Sequence, residues 1–318
     1  MADEFEIIKA CFTPPGGHES VQLGVGDDAA ILQPPPGRQL VMTMDTLISG
    51  VHFPEHSAPA DIACKSIAVN LSDLAAMGAR PEWLMLSISL PDNDQAWLQA
   101  FSQGFMQSCE QYRVQLIGGD TTRGPLSITV QATGSVEPGR AMRRDAAQPG
   151  DAIVVTGTLG DAALALEWLQ AGREVPRALL QRLNRPQPRH DFASQAAEVC
   201  RCAIDISDGL LADLQHITEA SQCGAELDLG AIPLSPAYRQ CYQNDTGVSN
   251  LTHALTGGDD YELCLCTGFE RLQRLTQIAQ NCGVNCVTIG KITEKPGIRC
   301  VNENGQLVDI PVSGYQHF

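Results

Sequence analysis

Two runs of alternating apolar strands and amphipathic helices make up the chain, and a segment rich in Arg, Pro and Gly separates them at residues 138–150. A length of 318 residues suits two domains of ~100 to 200 residues each. Because strands and helices are mixed in both halves, the pattern predicts an α+β fold in two domains. We expect residues 1–138 to form the first domain and residues 139–318 the second.

The local pattern predicts a hairpin and a long helix in the first half. Residues 21–32 and 39–45 are predicted as strands that pair across the PPPG turn at 34–37. Apolar residues recur with helical spacing at 58–77, which places Asn70 and Asp73 on one helix. Further strands are predicted at 83–90, 114–118, 126–136, 151–156, 262–266 and 285–292, and further helices at 94–112, 161–169, 189–200, 208–221 and 271–282.

The chain is acidic, with a formal net charge of −16 and four lysines, Lys9, Lys65, Lys291 and Lys295. Binding to nucleic acid depends on Lys and Arg that neutralise phosphates, so this charge argues against a nucleic-acid partner. An enzyme this acidic that uses ATP is expected to bind phosphates through divalent cations, because carboxylates alone repel them.

The composition also bears on location. The start of the chain, MADEF, lacks the basic and apolar stretches of a signal peptide, and no apolar run approaches the ~18 residues of a membrane span. The twelve cysteines include no C-x-x-C pair. Several of them, such as Cys264 and Cys266, alternate through apolar runs as strand or core residues do. We therefore expect a cytoplasmic protein with reduced cysteines and no membrane partner.

Aspartates recur at chain turns, next to glycine or another small residue and mostly after an apolar stretch. Each one alone has an ordinary structural explanation, because Asp beside Gly is a common turn and Asp or Ser is a common helix cap. Their repetition in one chain needs a further explanation. The motifs are GVGDD at 24–28, TMDT at 43–46, NLSD at 70–73, GGDTT at 118–122, DISDG at 205–209 and GGDD at 257–260.

Carboxylates from these turns can gather in one cleft only if their mutual repulsion is neutralised, which metal ions do. Mg²⁺ suits an all-aspartate set, because it prefers oxygen ligands and binds through one or two carboxylates together with substrate phosphates. The His and Cys spacing of a zinc site is missing. Gly118 and Gly119 ahead of Asp120 either bring backbone N–H groups close to a phosphate or form only a tight turn. The sequence contains no P-loop, dinucleotide-binding or protein-kinase motif.

In combination these motifs resemble those of the thiamine-monophosphate kinase family, in the superfamily of aminoimidazole ribonucleotide synthetase and selenophosphate synthetase. The resemblance covers nearly the whole chain. It rests on residues 24–30 (GVGDDAA), 45–53 (DTLISGVHF), 68–79 (AVNLSDLAAMGA), 116–125 (LIGGDTTRGP), 205–210 (DISDGL) and 314–318 (GYQHF). The second and the last of these segments favour the thiamine enzymes over their relatives. The reactive Cys segment of selenophosphate synthetases is not seen.

The resemblance implies the last step of thiamine diphosphate biosynthesis, in which ATP phosphorylates thiamine monophosphate by direct in-line transfer with several Mg²⁺ ions. It implies a homodimer of aminoimidazole ribonucleotide synthetase-like architecture. In it, an N-terminal mixed α/β domain binds ATP and Mg²⁺ and carries a dimer-forming sheet, and a C-terminal α+β domain completes the active site. The implied metal ligands are Asp28, Thr43, Asp45, Asp73, Asp120, Asp205 and Asp208. The implied ATP contacts are Gly119, Asp120, Arg144, Ser207 and Tyr112. The implied catalytic residues are Asp45, Asp120 and Arg144. The implied substrate contacts are His52, Asp259 and Tyr315.

The substrate contacts agree with the chemistry of thiamine, whose cationic thiazolium suits an aromatic face and a carboxylate such as Tyr315 and Asp259. Each residue also has a structural alternative: His52 as a core or turn histidine, Tyr315 as a packed C-terminal anchor, and Arg144 as a solvated charge. The family pattern usually has Glu at the position of Asp259, whose shorter side chain reaches less far. Two competing functions stay open, a sister enzyme with a different acceptor and a non-catalytic metal-binding protein.

Overall fold

The computed structural model describes residues 4–13, 19–243, 248–312 and 314–315. The chain forms two compact units, one of residues 1–74 and 79–139 and the other of residues 75–78 and 140–318. The roles predicted for residues 1–138 and 139–318 stay predictions. Residues 316–318 of the C-terminal motif lie outside the described ranges. Within those ranges, no helix is both long enough and apolar enough to cross a membrane.

A four-stranded sheet is the centre of the first unit. Along the chain its elements are α1 (Glu4–Cys11), β1 (Val21–Leu23), β2 (Ile31–Leu32), β3 (Gln39–Ile48), α2 (Pro59–Ala76), β4 (Arg80–Leu90), α3 (Gln95–Tyr112), β5 (Gln115–Arg123) and β6 (Ser127–Val136). The strand order is β3-β6-β4-β5. β6 is antiparallel to both of its neighbours, whereas β4 and β5 are parallel and are connected through α3.

The two faces of this sheet have different surroundings. On one face, residues such as Ile88 and Val130 are fully buried, because apolar helices cover them. On the other face, Met42 and Met44 of β3 are 67% and 65% exposed, and Met85 of β4 is 41% exposed. Met44 and Met85 both lie opposite Gln131 of β6, so they share that face. The sheet therefore carries apolar side chains on its open side.

A seven-stranded sheet is the centre of the second unit. Its elements are β7 (Ala152–Thr156), α4 (Asp161–Gln170), α5 (Arg177–Asn184), α6 (His190–Ala196), β8 (Cys202–Ile206), α7 (Leu210–Ala220), β9 (Gly224–Asp228), α8 (Pro236–Cys241), α9 (Thr252–Thr256), β10 (Glu262–Thr267), α10 (Leu272–Asn281), β11 (Cys286–Thr293), β12 (Gly297–Val301) and β13 (Leu307–Val308). The strand order is β13-β12-β9-β11-β7-β10-β8. All of its pairs are antiparallel except β12 with β9.

The central strands of this second sheet are buried on both faces. On β7, Ile153 and Val155 belong to one apolar cluster, together with Leu214 of α7. The alternate residue Val154 belongs to a second cluster, together with Phe192 of α6. Since successive strand residues point to opposite faces, the sheet lies between two helical layers. The α+β fold predicted from the sequence is confirmed.

The hairpin predicted from residues 21–32 and 39–45 is wrong. Residues 24–30 leave the strand conformation, and β1 pairs with β2 while β3 pairs with β6. A local turn explains the break, because the carboxylate of Asp27 accepts a hydrogen bond from the N–H of Asp28 at 2.8 Å. Short elements such as β8, whose five residues are all buried, were not predicted.

Candidate active site

A cavity of about 360 Å³ in the first unit brings together three of the predicted site residues, Asp28, Gly119 and Asp120. Apolar side chains line another part of it, namely Ile8 of α1 and Phe12, which directly follows that helix. The cavity therefore combines an apolar wall with a wall of carboxylates and glycine backbone. Its full lining is Ile8, Phe12, Val25, Gly26, Asp27, Asp28, Leu86, Leu116, Gly118, Gly119, Asp120 and Thr121.

Gly119 is required by the close approach of β5 to β4. A Cβ atom at this position would lie 1.7 Å from the carbonyl oxygen of Leu86. The backbone φ of Gly119 is 156°, which side chains rarely allow. At Gly118, by contrast, a Cβ would contact only the end of the Met85 side chain, at 3.7 Å. The second glycine of the motif is therefore the one that the backbone path demands.

Two polar contacts connect β3 to α2. The hydroxyl of Thr43 donates to the Asp73 carboxylate at 2.5 Å, and the N–H of Asp45 donates to the Asn70 side-chain oxygen at 3.0 Å. Asn70 is fully buried, and its amide donates in turn to the carbonyl of Ser66 at 3.0 Å. The structure thus brings Thr43 and Asp73 into contact and holds Asp45 against the same helix.

His52 has a structural role in the turn after β3. Its Nδ1 accepts a hydrogen bond from the N–H of Ile48 at 3.0 Å, so the proton of the neutral ring lies on Nε2. The carbonyl of His52 accepts from the buried Lys65 ammonium at 3.2 Å. Tyr112 is the last residue of α3 and is only 8% exposed.

In the second unit, Asp213 holds the loop that follows β8. One oxygen of its carboxylate accepts from the N–H groups of Ser207, Asp208 and Gly209 at 3.0, 3.1 and 3.1 Å. Burial, together with the charge of Asp208, raises the pKa of Asp213 to about 7 against the effect of these donors. Asp205, on β8, is itself buried. The contacts of Asp213 fix the backbone that carries Ser207 and Asp208.

The GGDDYE segment, residues 257–262, lies beside the loop that follows β8. The N–H of Asp259 donates to the carbonyl of Ser207 at 2.9 Å, and the N–H of Tyr261 donates to that of Ile206 at 2.8 Å. A Cβ at Gly258 would lie 2.3 Å from the same Ser207 oxygen, so this glycine permits the approach. The structure therefore places Asp259 next to Ser207 and Asp208.

A buried ion-pair network anchors the start of β10. Glu262 is fully buried and accepts hydrogen bonds from Arg182 at 2.7 Å, from Arg189, whose Nε lies 2.7 Å away, and from the Thr156 hydroxyl at 2.6 Å. Burial opposes the ionisation of Glu262, yet the hydrogen bond and charge of Arg189, with the charge of Arg182, outweigh it and lower the pKa of Glu262. The contacts of Glu262 therefore fix the C-terminal end of the segment that carries Asp259.

The C-terminal segment reaches the same loop. The N–H of Tyr315 donates to the carbonyl of Asp208 at 3.2 Å, and its side chain is 48% exposed. A Cβ at Gly314 would lie 2.5 Å from the Ala212 Cβ. Ser207, Asp208, Asp259 and Tyr315 are thus gathered around one loop of the second unit.

Arg144 begins a short 3₁₀ helix, Arg144–Ala146. Its carbonyl accepts from the Ser221 hydroxyl at the end of α7 at 2.8 Å, and the residue is exposed. The backbone of Arg144 is therefore fixed while its guanidinium faces solvent.

The candidate metal ligands are oxygen donors that lie singly or in pairs. Among the described residues, no three His, Cys, Asp or Glu side chains are close enough to hold a metal ion by themselves. This donor set does not fit zinc, which takes its structural sites from His and Cys. It fits Mg²⁺, which takes one or two carboxylates and completes its shell with water and substrate phosphates. That carboxylates of both halves share one site stays a prediction.

Three residues with clear roles at these loops were missed by sequence analysis, namely Asp213, Tyr261 and Glu262. An acidic residue in the first turn of a helix is a recognisable capping signal, so Asp213 had a detectable signature. Tyr261 and Glu262 belong to the family pattern at residues 257–262, but the sequence assigned them no role, because their roles depend on contacts made in the folded chain.

Comparisons with known proteins identify relatives of the whole chain. The family model for the AIR synthase related protein, N-terminal domain, matches residues 26–136, and that for the C-terminal domain matches residues 148–301. The thiamine-monophosphate kinase of Escherichia coli (strain K12) is 44% identical over 303 residues, 94% of this chain and 92% of the relative.

Solved structures agree with this relationship. The thiamine-monophosphate kinase of Stenotrophomonas maltophilia K279a is 44% identical, with a TM-score of 0.84 over 91% of this chain and 93% of that one. The structure of AaThiL complexed with AMPPCP and TMP is 30% identical, with a TM-score of 0.79 over 99% of this chain and 97% of that one. The similarity therefore extends through both units.

Proposed function

The chain belongs to the family of thiamine-monophosphate kinases, and on that premise we propose that it transfers the γ-phosphoryl group of ATP in line to the phosphate of thiamine monophosphate. The products are thiamine diphosphate and ADP. The observation that carries this proposal is that similarity runs through both units to AaThiL, which binds AMPPCP, an ATP analogue, together with TMP. Both substrates of the proposed reaction are thereby represented in one relative.

Phosphoryl transfer asks the protein mainly for positioning and for neutralisation of charge. In the first unit, we assign the triphosphate to the cavity lined by Gly119 and Asp120. The glycine backbone of β5 lines this cavity and is the surface that we assign to the phosphate oxygens. The apolar part of the cavity, which includes Phe12, suits the base of a nucleotide. Tyr112 is a further assigned ATP contact of the first unit. The assigned ATP contacts of the second unit are Ser207 and Arg144, and Arg144 is exposed and permanently charged.

The acidic residues would hold Mg²⁺, which when bound neutralises the charge of the triphosphate. Asp28, Thr43, Asp45, Asp73 and Asp120 are the assigned ligands of the first unit, and Asp205 and Asp208 those of the second. The contact between Thr43 and Asp73 and the bond from the Asp45 N–H to Asn70 keep three of them in place before a ligand binds. Such preorganisation lowers the cost of ordering side chains on binding.

The acceptor is assigned to Asp259, Tyr315 and His52. Asp259 and Tyr315 are held at the same loop through backbone bonds to Ser207 and Asp208. A carboxylate and an aromatic ring together suit the cationic thiazolium. The acceptor phosphate is already ionised at neutral pH, so the reaction requires no general base to activate it.

A homodimer formed through the first unit accounts for the exposed apolar face of its sheet. Met42, Met44 and Met85 share that face, and exposed apolar side chains grouped on one face of an acidic protein suit an interaction site. We expect light scattering to give twice the mass of the chain. We place the enzyme in the cytoplasm, where cysteines stay reduced.

The test is an assay of the purified protein with ATP, Mg²⁺ and thiamine monophosphate, followed by mass analysis of the products, with unphosphorylated thiamine as the control acceptor. Thiamine diphosphate formed only from the monophosphate supports the proposal. Turnover of ATP with another acceptor alone would identify a sister enzyme. Metal-dependent melting without nucleotide turnover would identify a non-catalytic metal-binding protein.

A further inference from the structure

The side chains of the GGDDYE segment alternate between two environments. Asp260 and Glu262 are 2% and 0% exposed. Asp260 accepts from the N–H of Gly160 at 2.9 and 3.0 Å, and Glu262 is bound by two arginines. The side chains that alternate with them, Asp259 and Tyr261, are only half-buried. The buried pair anchors the segment and leaves the other pair available on its accessible side.

This accessible pair is joined by a hydrogen bond. The Tyr261 hydroxyl donates to Oδ1 of Asp259 at 3.1 Å. Both residues have left-handed backbones, with φ of 69° at Asp259 and 50° at Tyr261. Such a conformation is unfavourable for residues other than glycine and persists only where surrounding contacts impose it. Here the backbone bonds to Ser207 and Ile206 impose it, so the two side chains meet because the segment is held in this shape.

We propose that Tyr261 is a positioning residue that holds the Asp259 carboxylate in the orientation that receives the cationic ring of the acceptor. The inference rests on the proposed function and adds to it a residue that contributes to acceptor specificity. The phenol hydroxyl donates to Oδ1 of the Asp259 carboxylate and so restricts the orientation of that group. The carboxylate also loses less rotamer freedom when the acceptor binds.

Removing the hydroxyl should weaken acceptor binding without changing the ATP site. For Y261F we expect the KM for thiamine monophosphate to rise roughly three- to tenfold, the factor that corresponds to one side chain ordered only on binding. The kcat and the KM for ATP should stay within about twofold of wild type. The matched control is Y242F, since the Tyr242 hydroxyl is bonded to Nδ1 of His253 at 3.0 Å and lies outside the assigned site.

A double-mutant cycle separates positioning from an independent contact. If Tyr261 acts through Asp259, then D259N combined with Y261F should raise the KM for thiamine monophosphate no more than D259N alone. The kinetics use the full chain at saturating ATP and Mg²⁺. Calorimetry with thiamine monophosphate in the presence of AMPPCP measures binding without turnover.

Three results would overturn the inference. The first is an unchanged KM for thiamine monophosphate in Y261F. The second is that the increases in this KM multiply in the double variant. The third is an equal rise of the KM for both substrates in Y261F, together with a lower melting temperature. The last would show a purely structural role. If wild-type protein binds and phosphorylates thiamine monophosphate while Y261F behaves identically, only the inference fails. If wild-type protein does neither, the proposed function fails as well.

Discussion

Replacing Gly119 by alanine tests the assignment of the phosphate site most directly. The new Cβ would lie 1.7 Å from the Leu86 carbonyl oxygen, whereas real Cβ atoms essentially never come within 3.0 Å of a non-bonded heavy atom. β5 must therefore shift from β4 by about 1.3 Å or more. Hydrogen bonds in a sheet tolerate only ~0.5 Å of variation in length, so one or two bonds near Leu86 break.

The cost of this shift follows from ordinary magnitudes. Each lost backbone hydrogen bond costs about 1 kcal/mol, and forcing a methyl group into a packed position costs about 1 to 3 kcal/mol. We expect G119A to lower the free energy of unfolding of the first unit by about 2 to 5 kcal/mol. AMPPCP binding should weaken by at least about tenfold, because the backbone that lines the cavity moves and tenfold corresponds to only about 1.4 kcal/mol.

The neighbouring glycine supplies the control for the fold. At Gly118 a Cβ meets only the flexible end of Met85, at 3.7 Å, so G118A should change the free energy of unfolding by less than about 1 kcal/mol. Urea unfolding, monitored by circular dichroism, measures the free energy of unfolding. Calorimetric titration with AMPPCP measures its affinity. The reasoning is refuted if G119A unfolds with the same midpoint as G118A and binds AMPPCP as wild type does.

Other substitutions test the remaining assignments. D120N and D45N should abolish turnover while circular dichroism stays unchanged, because each removes a charge assigned to Mg²⁺; near wild-type ADP release in a coupled assay would contradict both assignments. E262Q should lower the free energy of unfolding by about 3 to 5 kcal/mol near pH 7, because it leaves the charges of the half-buried Arg182 and Arg189 beside a neutral group. Since the pKa of Glu262 is lowered on folding, its stabilisation is present above the ordinary pKa of Glu and is lost as pH falls through the lowered value. Acid titration of urea midpoints should therefore show a steeper loss for wild type than for E262Q, and parallel curves would argue against this role. In the first unit, N70A leaves the Asp45 N–H without its buried acceptor and should cost about 1 to 3 kcal/mol in urea unfolding; an unchanged midpoint would show that the bond contributes nothing.

Much of this protein could be recognised from local patterns. Helical spacing predicted α2 to within one residue at each end, and with it the position of Asn70 and Asp73 on one helix. Aspartates beside glycines, with no zinc-type spacing, led to the prediction of oxygen ligands for Mg²⁺, which stays a prediction. The combination of these motifs led to the family. Each of these inferences depends on residues that are close in sequence, where residue type and spacing carry the information.

Contacts between distant parts of the chain were decided only by the tertiary structure. β3 pairs with β6 instead of with its neighbour in sequence, because the turn at Asp27 interrupts the strand before it. Gly119 is demanded by Leu86 of another strand, and Tyr261 meets Asp259 because Ser207 and Ile206 hold both backbones. A sequence specifies which residues are apolar, charged or flexible, whereas the partner of each one depends on which segments meet when the chain folds. The family, and with it the type of chemistry, could therefore be recognised from the sequence itself, whereas the contacts that hold the candidate site residues were decided by the fold.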